Sequence, residues 1–163
     1  HDIKGMLNSA HIFVNEESSV TLAHPCGIER FFSDGWCVVE CVQTQLYRKN
    51  IIILLPGQRQ PAHYQRDGEK TLQVLSGVCP IEVKGRRKTL YPGDMITVPP
   101  GTWHAVLESD GTIVEELTPV ISGDRIYFMD KTINKQREED RATRLVHWGR
   151  HQFDTEGRPT YHD

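Results

Sequence analysis

Two stretches of the sequence decide the fold. The first is Gly57-Gln58-Arg59-Gln60-Pro61-Ala62-His63-Tyr64-Gln65, closed by Gly77. The second is Gly93-Asp94-Met95-Ile96-Thr97-Val98-Pro99-Pro100-Gly101-Thr102-Trp103-His104. Alternate residues of a strand share a face, so residues 63 and 65 point the same way. Tyr64 and Trp103 then fall on the opposite face, where packing is their role. Pro99-Pro100-Gly101 cannot continue a hydrogen-bonded ladder. The chain must bend there, and the bend aims His104 back toward His63. Pro56-Gly57 and Pro92-Gly93 supply the tight turns at the strand junctions.

Working outward, short strands are expected at roughly 36–47, 49–55, 61–65, 70–76, 79–84, 87–91, 94–98, 103–108 and 112–119. Turn signals separate them, among them Asp67-Gly68, Ser76-Gly77, Lys84-Gly85 and Asp110-Gly111. Such regular spacing indicates an all-β sandwich or barrel. Residues 1–16 read as a short helix running into a strand. Ile28, Phe31 and Phe32 suggest a helical turn packed on the barrel. Residues 124–130 suggest one more short strand, and 131–144, rich in alternating charges, a solvated helix or loop. Leu145-Val146-His147-Trp148 reads as a final apolar contact, and the tail from Asp154 to Asp163 as weakly ordered. The division expected is a flanking segment over 1–35, a barrel over 36–130 and a charged segment over 131–163.

The chain has 163 residues, a formal net charge of −3 and a pI near 6.3. That is one domain with a real core, and the charge argues against nucleic-acid or membrane-surface binding. The run Ile51–Leu55 is far too short to span a bilayer and reads as a buried strand. No signal peptide is recognised; the start at His1 fits a processed chain, a tag remnant or a fragment of something longer. Cys26, Cys37, Cys41 and Cys79 show no metal-binding or redox spacing and are expected as free thiols, which favours the cytoplasm.

The two stretches resemble the paired cupin motifs, G-x5-H-x-H-x3/4-E-x6-G and G-x5-P-x-G-x2-H-x3-N. The second matches at every fixed position through His104, with Glu108 standing where the motif ends in Asn. Leu55-Pro56-Gly57-Gln58, Glu115-Glu116, Arg144–Trp148, Ala23-His24-Pro25-Cys26-Gly27-Ile28 and Lys4-Gly5-Met6-Leu7-Asn8 resemble, more narrowly, the cupin domain at the C-terminus of N-acetylneuraminate (sialic acid) synthase-like enzymes. D-lyxose isomerases are similar over the barrel motifs. The resemblance covers most of residues 3–148 and implies a double-stranded β-helix, a cupin jelly roll, with short helical or extended segments at both ends.

A metal-binding cupin projects three His and one Glu into a bowl suited to Mn, Fe, Ni or Zn. Here His63 and His104 match the first and last ligands. Gln65 replaces the second His, and Lys70 stands at the Glu position with Glu69 one residue earlier. An ammonium beside a dication is repulsive. No cofactor is therefore expected. Should a divalent metal bind, His63, Glu69 and His104 would be its ligands. The expected binding set is His63, Gln65, Lys70 and His104, with Lys70 as contact for an acidic group. One of Glu115 and Glu116 should face inward, alternation leaving open which. His1, His11, His24, His147, His151 and His162 have no ligand-like spacing and are expected at the surface.

The leading expectation is a non-catalytic cupin module that binds or senses a small sugar, an acidic one of the sialic-acid type. The resemblance implies homodimers and a fused or associated synthase domain. The alternatives are a metal-dependent sugar isomerase or epimerase and an oligomerisation domain.

Overall fold

The structure, a computed structural model, describes residues 1–15, 17–145, 151–153 and 159–161. It opens with helix α1 (Asp2–Ser9) and strand β1 (Val20–Ala23), then a 3-10 turn and helix α2 (Phe31–Asp34). Strands β2 (Trp36–Gln43), β3 (Tyr47–Leu54), β4 (His63–Gln65), β5 (Lys70–Gly77) and β6 (Cys79–Val83) follow. After them come β7 (Arg86–Leu90), β8 (Met95–Val98), β9 (His104–Val106), β10 (Thr112–Pro119) and β11 (Ile126–Phe128). The chain continues through α3 (Lys131–Asn134), β12 (Ala142–Leu145), β13 (His151–Phe153) and β14 (Pro159–Tyr161).

Two antiparallel sheets form the barrel. One runs β12-β1-β2-β3-β10-β5-β8 and the other β11-β4-β9-β6-β7. The all-β jelly roll expected from the motif spacing is what forms. The run Ile51–Leu55 is buried throughout because the larger sheet is covered on both sides. Ile51, Ile53 and Leu55 join Val20, Phe31, Cys37, Val39 and Ile113 on the outer face, roofed by Leu7 of α1. Ile52 and Leu54 point between the sheets with Leu72, Val74, Cys79, Ile81, Val106 and Val114. The barrel thus has an apolar floor.

Several boundaries differ from the sequence reading. Strands β1 and β12, on either side of 36–130, pair with each other and extend the larger sheet (Val20 opposite Leu145, Ala23 opposite Ala142). Both are four-residue strands of mixed polarity, too short for alternation to announce. Among the described residues of 1–16, no strand forms. Ile12 and Val14 instead pack on the outer-face cluster, so their apolarity serves cover rather than pairing. Around α2 only Phe31 is buried, while Ile28 and Phe32 are 67% and 68% exposed. His24 is not a surface group: it is buried, with Nε2 2.8 Å from the Thr143 hydroxyl, bridging the ends of β1 and β12. Part of the tail, 159–161, pairs with 151–153. His147, His162 and the contact expected of Val146–Trp148 lie outside the described residues.

Two local features hold the barrel's corners. Gln58 is fully buried; it accepts the Leu55 N–H at 2.8 Å and donates to the Phe31 carbonyl at 2.7 Å. Gly77, with φ of 75°, lies so close to Gly111 that a Cβ would sit 2.3 Å from its carbonyl oxygen. Only glycine fits there. All four cysteines are free thiols. Burial pushes Cys37 up to about 12 and Cys79 to about 11, which keeps them protonated and inert.

Candidate ligand site

The floor residues on three strands of the larger sheet continue, two positions along, into a polar tier. On β3, Leu54 and Ile52 are followed by Asn50 and then Arg48; on β10, Val114 by Glu116 and Thr118; on β5, Val74 and Leu72 by Lys70. Alternation keeps each file on the inner face. Asn50, Lys70 and Thr118 are all buried. The Lys70 ammonium lies 3.5 Å from Glu116 Oε2, and Asn50 donates to Glu116 Oε1 at 3.3 Å. Of the Glu pair, Glu116 therefore faces inward, while Glu115 points out and pairs with Lys49 at 3.8 Å. The sequence left that choice open.

The opposite sheet brings the two histidines together. His63 on β4 and His104 on β9 are directly opposed in register, and their ring centroids are 4.4 Å apart. Each ring is fixed by the carbonyl two residues before it. His63 Nδ1–H donates to Pro61 at 2.8 Å and His104 Nδ1–H to Thr102 at 2.9 Å. A carbonyl can only accept, so both rings carry the proton on Nδ1 and present an Nε2 lone pair. His104 Nε2 is buried without a partner. Burial, then the Lys70 charge, pushes His104 down to about 4. His63 is held well below its ordinary range by burial, then by Lys70 and His104. Both imidazoles are neutral at pH 7.

Gln65, one turn of the pleat from His63, is also buried, and its Oε1 accepts the Thr118 hydroxyl at 3.2 Å. His63, Gln65, Lys70 and His104 thus all sit inside the barrel, 9% exposed or less. Tyr64 and Trp103 meet edge to face on the outer side, 4.6 Å between centroids, with Tyr127 stacked on Tyr64. Above the polar tier lies a cavity of about 400 Å³, lined among others by Gln65, Trp36, Phe128, Arg48 and Asp124. Trp36 lies parallel to His63 at 6.3 Å and Phe128 approaches it at 5.7 Å, so the two rings join the cavity to the histidine pair. Neither ring was legible as a site residue, since nothing in the motif spacing reaches residues 36 or 128.

Residues 50–118 match the family model for the cupin domain. The barrel has the jelly-roll fold of that domain. Among solved structures, a sugar phosphate isomerase of the cupin superfamily from Silicibacter pomeroyi is similar with a TM-score of 0.55 at 18% identity, over 64% of this chain and 71% of that one. A protein from Acidithiobacillus ferrooxidans, provisionally named a sugar phosphate isomerase, gives 0.51 at 17%, over 58% and 67%. A salicylate 1,2-dioxygenase variant from Pseudoaminobacter salicylatoxidans gives 0.50 at 17%, over 53% of this chain and 25% of that one. Names so different on one architecture mean that these likenesses establish the fold and leave the chemistry to the site. No curated protein matches the chain.

Cupin domains often hold a divalent metal, and the donor set tests whether this barrel suits one. The two Nε2 lone pairs are placed as ligands would be. The rest of the set is not. The Gln65 amide oxygen is engaged by Thr118, and the Lys70 ammonium occupies the carboxylate position. Glu69 is exposed, alternating away from inward Lys70, so His63, Glu69 and His104 are not brought together as a ligand set. Among the described residues no cluster of three His, Cys, Asp or Glu is suited to a metal ion. The residues present do not fit a resident transition metal.

Proposed function

We propose that this cupin is a non-catalytic module that binds a small sugar-class ligand in the mouth cavity above the polar tier. One observation carries the reading. Lys70, in the place of a metal-binding carboxylate, is paired with Glu116 and leaves the two imidazoles as hydrogen-bond acceptors. His104 Nε2 has no donor, and a polyhydroxylated molecule reaching past Trp36 and Phe128 supplies an O–H to that pair. Trp36 and Phe128 offer flat apolar surface to its C–H face, and Gln65 an amide contact at the cavity wall. In the polar tier Lys70 and Glu116 neutralise each other, and burial makes both imidazoles weak bases, so none of the four groups is poised to move a proton near pH 7.

The names of the two isomerase-like neighbours and the resemblance to synthase-linked cupins both favour carbohydrate as the class to test first. Lys70 changes role in this reading. The expectation that it contacts a ligand acid gives way to an internal ion pair, because Glu116 already takes its charge. Pairing of two copies and association with a synthase domain belong to the same proposal and rest on the resemblance alone.

Calorimetric titration of the purified chain with glucose and glucuronate, beside elemental analysis of protein prepared without chelators, tests the reading. Saturable binding of at least one sugar, lost at least tenfold in Gln65→Ala, is the expected result. About one tightly held Mn, Fe, Ni or Zn per chain would instead favour the metal-dependent isomerase alternative. Absence of both sugar and metal binding would leave an oligomerisation domain.

A further inference from the structure

The mouth cavity carries charges beyond the polar tier. Arg48, Arg125 and Arg141 line it, with Asp124 and Glu138 as the acids. Arg141 is engaged: its guanidinium carbon lies 5.3 Å from the Phe128 ring centroid, and its Nη2 is 3.8 Å from Glu138. Arg48 extends the inward file of Asn50 out to the mouth. Among the described residues the guanidinium groups of Arg48 and Arg125 make no ion pair.

Deeper in the wall, Asp124 Oδ1 accepts the backbone N–H groups of Asp67 at 3.0 Å and Arg125 at 2.9 Å. Its other oxygen, Oδ2, is buried and has no partner. A buried carboxylate oxygen without a donor is costly, so the fold keeps it against its own stability. Gly68 explains how the spot stays open. A Cβ there would lie 2.9 Å from Gln65 Nε2 and 3.0 Å from Asp124 Oδ2. An amide donor and a carboxylate acceptor therefore flank one bare glycine, both on the cavity wall. Thr118 fixes the amide's orientation by holding Oε1.

Resting on the sugar-binding reading, we infer that the cavity takes an anionic polyol, a hydroxylated molecule bearing a carboxylate or a phosphate. A ligand hydroxyl donates to Asp124 Oδ2 and accepts from Gln65 Nε2. The carbon skeleton lies against Trp36 and Phe128. The anionic group meets Arg48 and Arg125, whose planar forks suit either oxyanion. Asp124 gives the site its selectivity for the hydroxylated ligand, because a bare anion placed beside its carboxylate is repelled. The acid contact of this barrel is thus at its mouth, not at Lys70.

Titration of the parent chain at low salt with glucose, glucuronate, glucose 6-phosphate and inorganic phosphate tests this. Glucuronate or glucose 6-phosphate, whichever source of charge the site prefers, should bind at least tenfold more tightly than glucose and than inorganic phosphate. The gap should shrink as salt screens the arginines. The double variant Arg48→Gln, Arg125→Gln, at exposed positions where melting temperature should hold, should bring the anionic sugar to the level of glucose. Asp124→Asn should weaken the anionic sugar while easing the exclusion of inorganic phosphate. Equal binding of glucose and both anionic sugars would overturn this inference and leave the sugar-binding reading standing. Binding of inorganic phosphate alone would overturn the sugar reading while keeping an arginine seat. Binding of none of the four would overturn both.

Discussion

The lower and upper halves of the barrel interior are built by the same strands and could hardly differ more. Below, Leu54, Ile52, Leu72, Val74, Ile81, Val106 and Val114 fill the space between the sheets with hydrocarbon. Two residues further along the same files stand Asn50, Lys70 and Glu116, facing His63, Gln65 and His104. Burying apolar side chains stabilises; burying these polar groups costs free energy unless every one is partnered. His104 Nε2 is not partnered. The lower half is explained by folding alone. The upper half is not, and this contrast is the physical ground for placing function there.

The two halves should differ most at the Lys70–Glu116 ion pair. Glu116→Leu should destabilise the fold by about 3–5 kcal/mol, because it strands a buried ammonium. Adding Lys70→Met should restore most of that loss, or exceed the parent, since an apolar pair is as good or better for stability. Urea denaturation of the three proteins reads both effects. If the double variant stays as weak as the single, the pair is structural and the upper half does not differ in kind from the floor. Leu54→Ala, in the floor, should cost about 3 kcal/mol through its cavity, with no rescue from above.

Acid should act on the upper half through its buried histidines. His104 titrates near 6.5 when unfolded and at about 4 when folded. Between those values the unfolded chain binds the proton and the folded chain does not, so stability falls as pH falls. His104 alone should account for a loss on the order of 3 kcal/mol across that window, His63 adds to it with the same sign, and nothing is lost above about 6.5. Denaturation midpoints from pH 7 to pH 4 should show this slope, flattened in His104→Asn; an equal slope in that variant would contradict the assignment. The smallest effect is expected from Thr118→Val. It removes the hydrogen bond to Gln65 at a cost of about 1 kcal/mol, and loosens the amide that faces Asp124.

Much of this was legible in the sequence, and the reason is local. His63, Gln65, Lys70 and His104 lie on strands whose alternation fixes which way they point, and the turns between them carry Gly and Pro. Their inward placement follows from spacing. Their partners do not. Lys70 meets Glu116 across β5 and β10, a pairing set by register between strands far apart in sequence. Trp36, Phe128, Arg48 and Asp124 come to one cavity only through the closure of the sheets. Strands β1 and β12 escaped notice for the same reason, since each is a strand only because the other is there.

On the proposed reading, the polar half of the barrel binds a sugar-class ligand at its mouth. Proton–nitrogen NMR spectra recorded through a titration with glucuronate test it directly. The Gln65 side-chain amide and the Trp36 indole N–H should shift and saturate together, while backbone amides of the floor residues Val74 and Ile81 stay in place. Saturable shifts confined to residues away from the mouth, or no shift at Gln65 and Trp36 with any of the sugars, would contradict it.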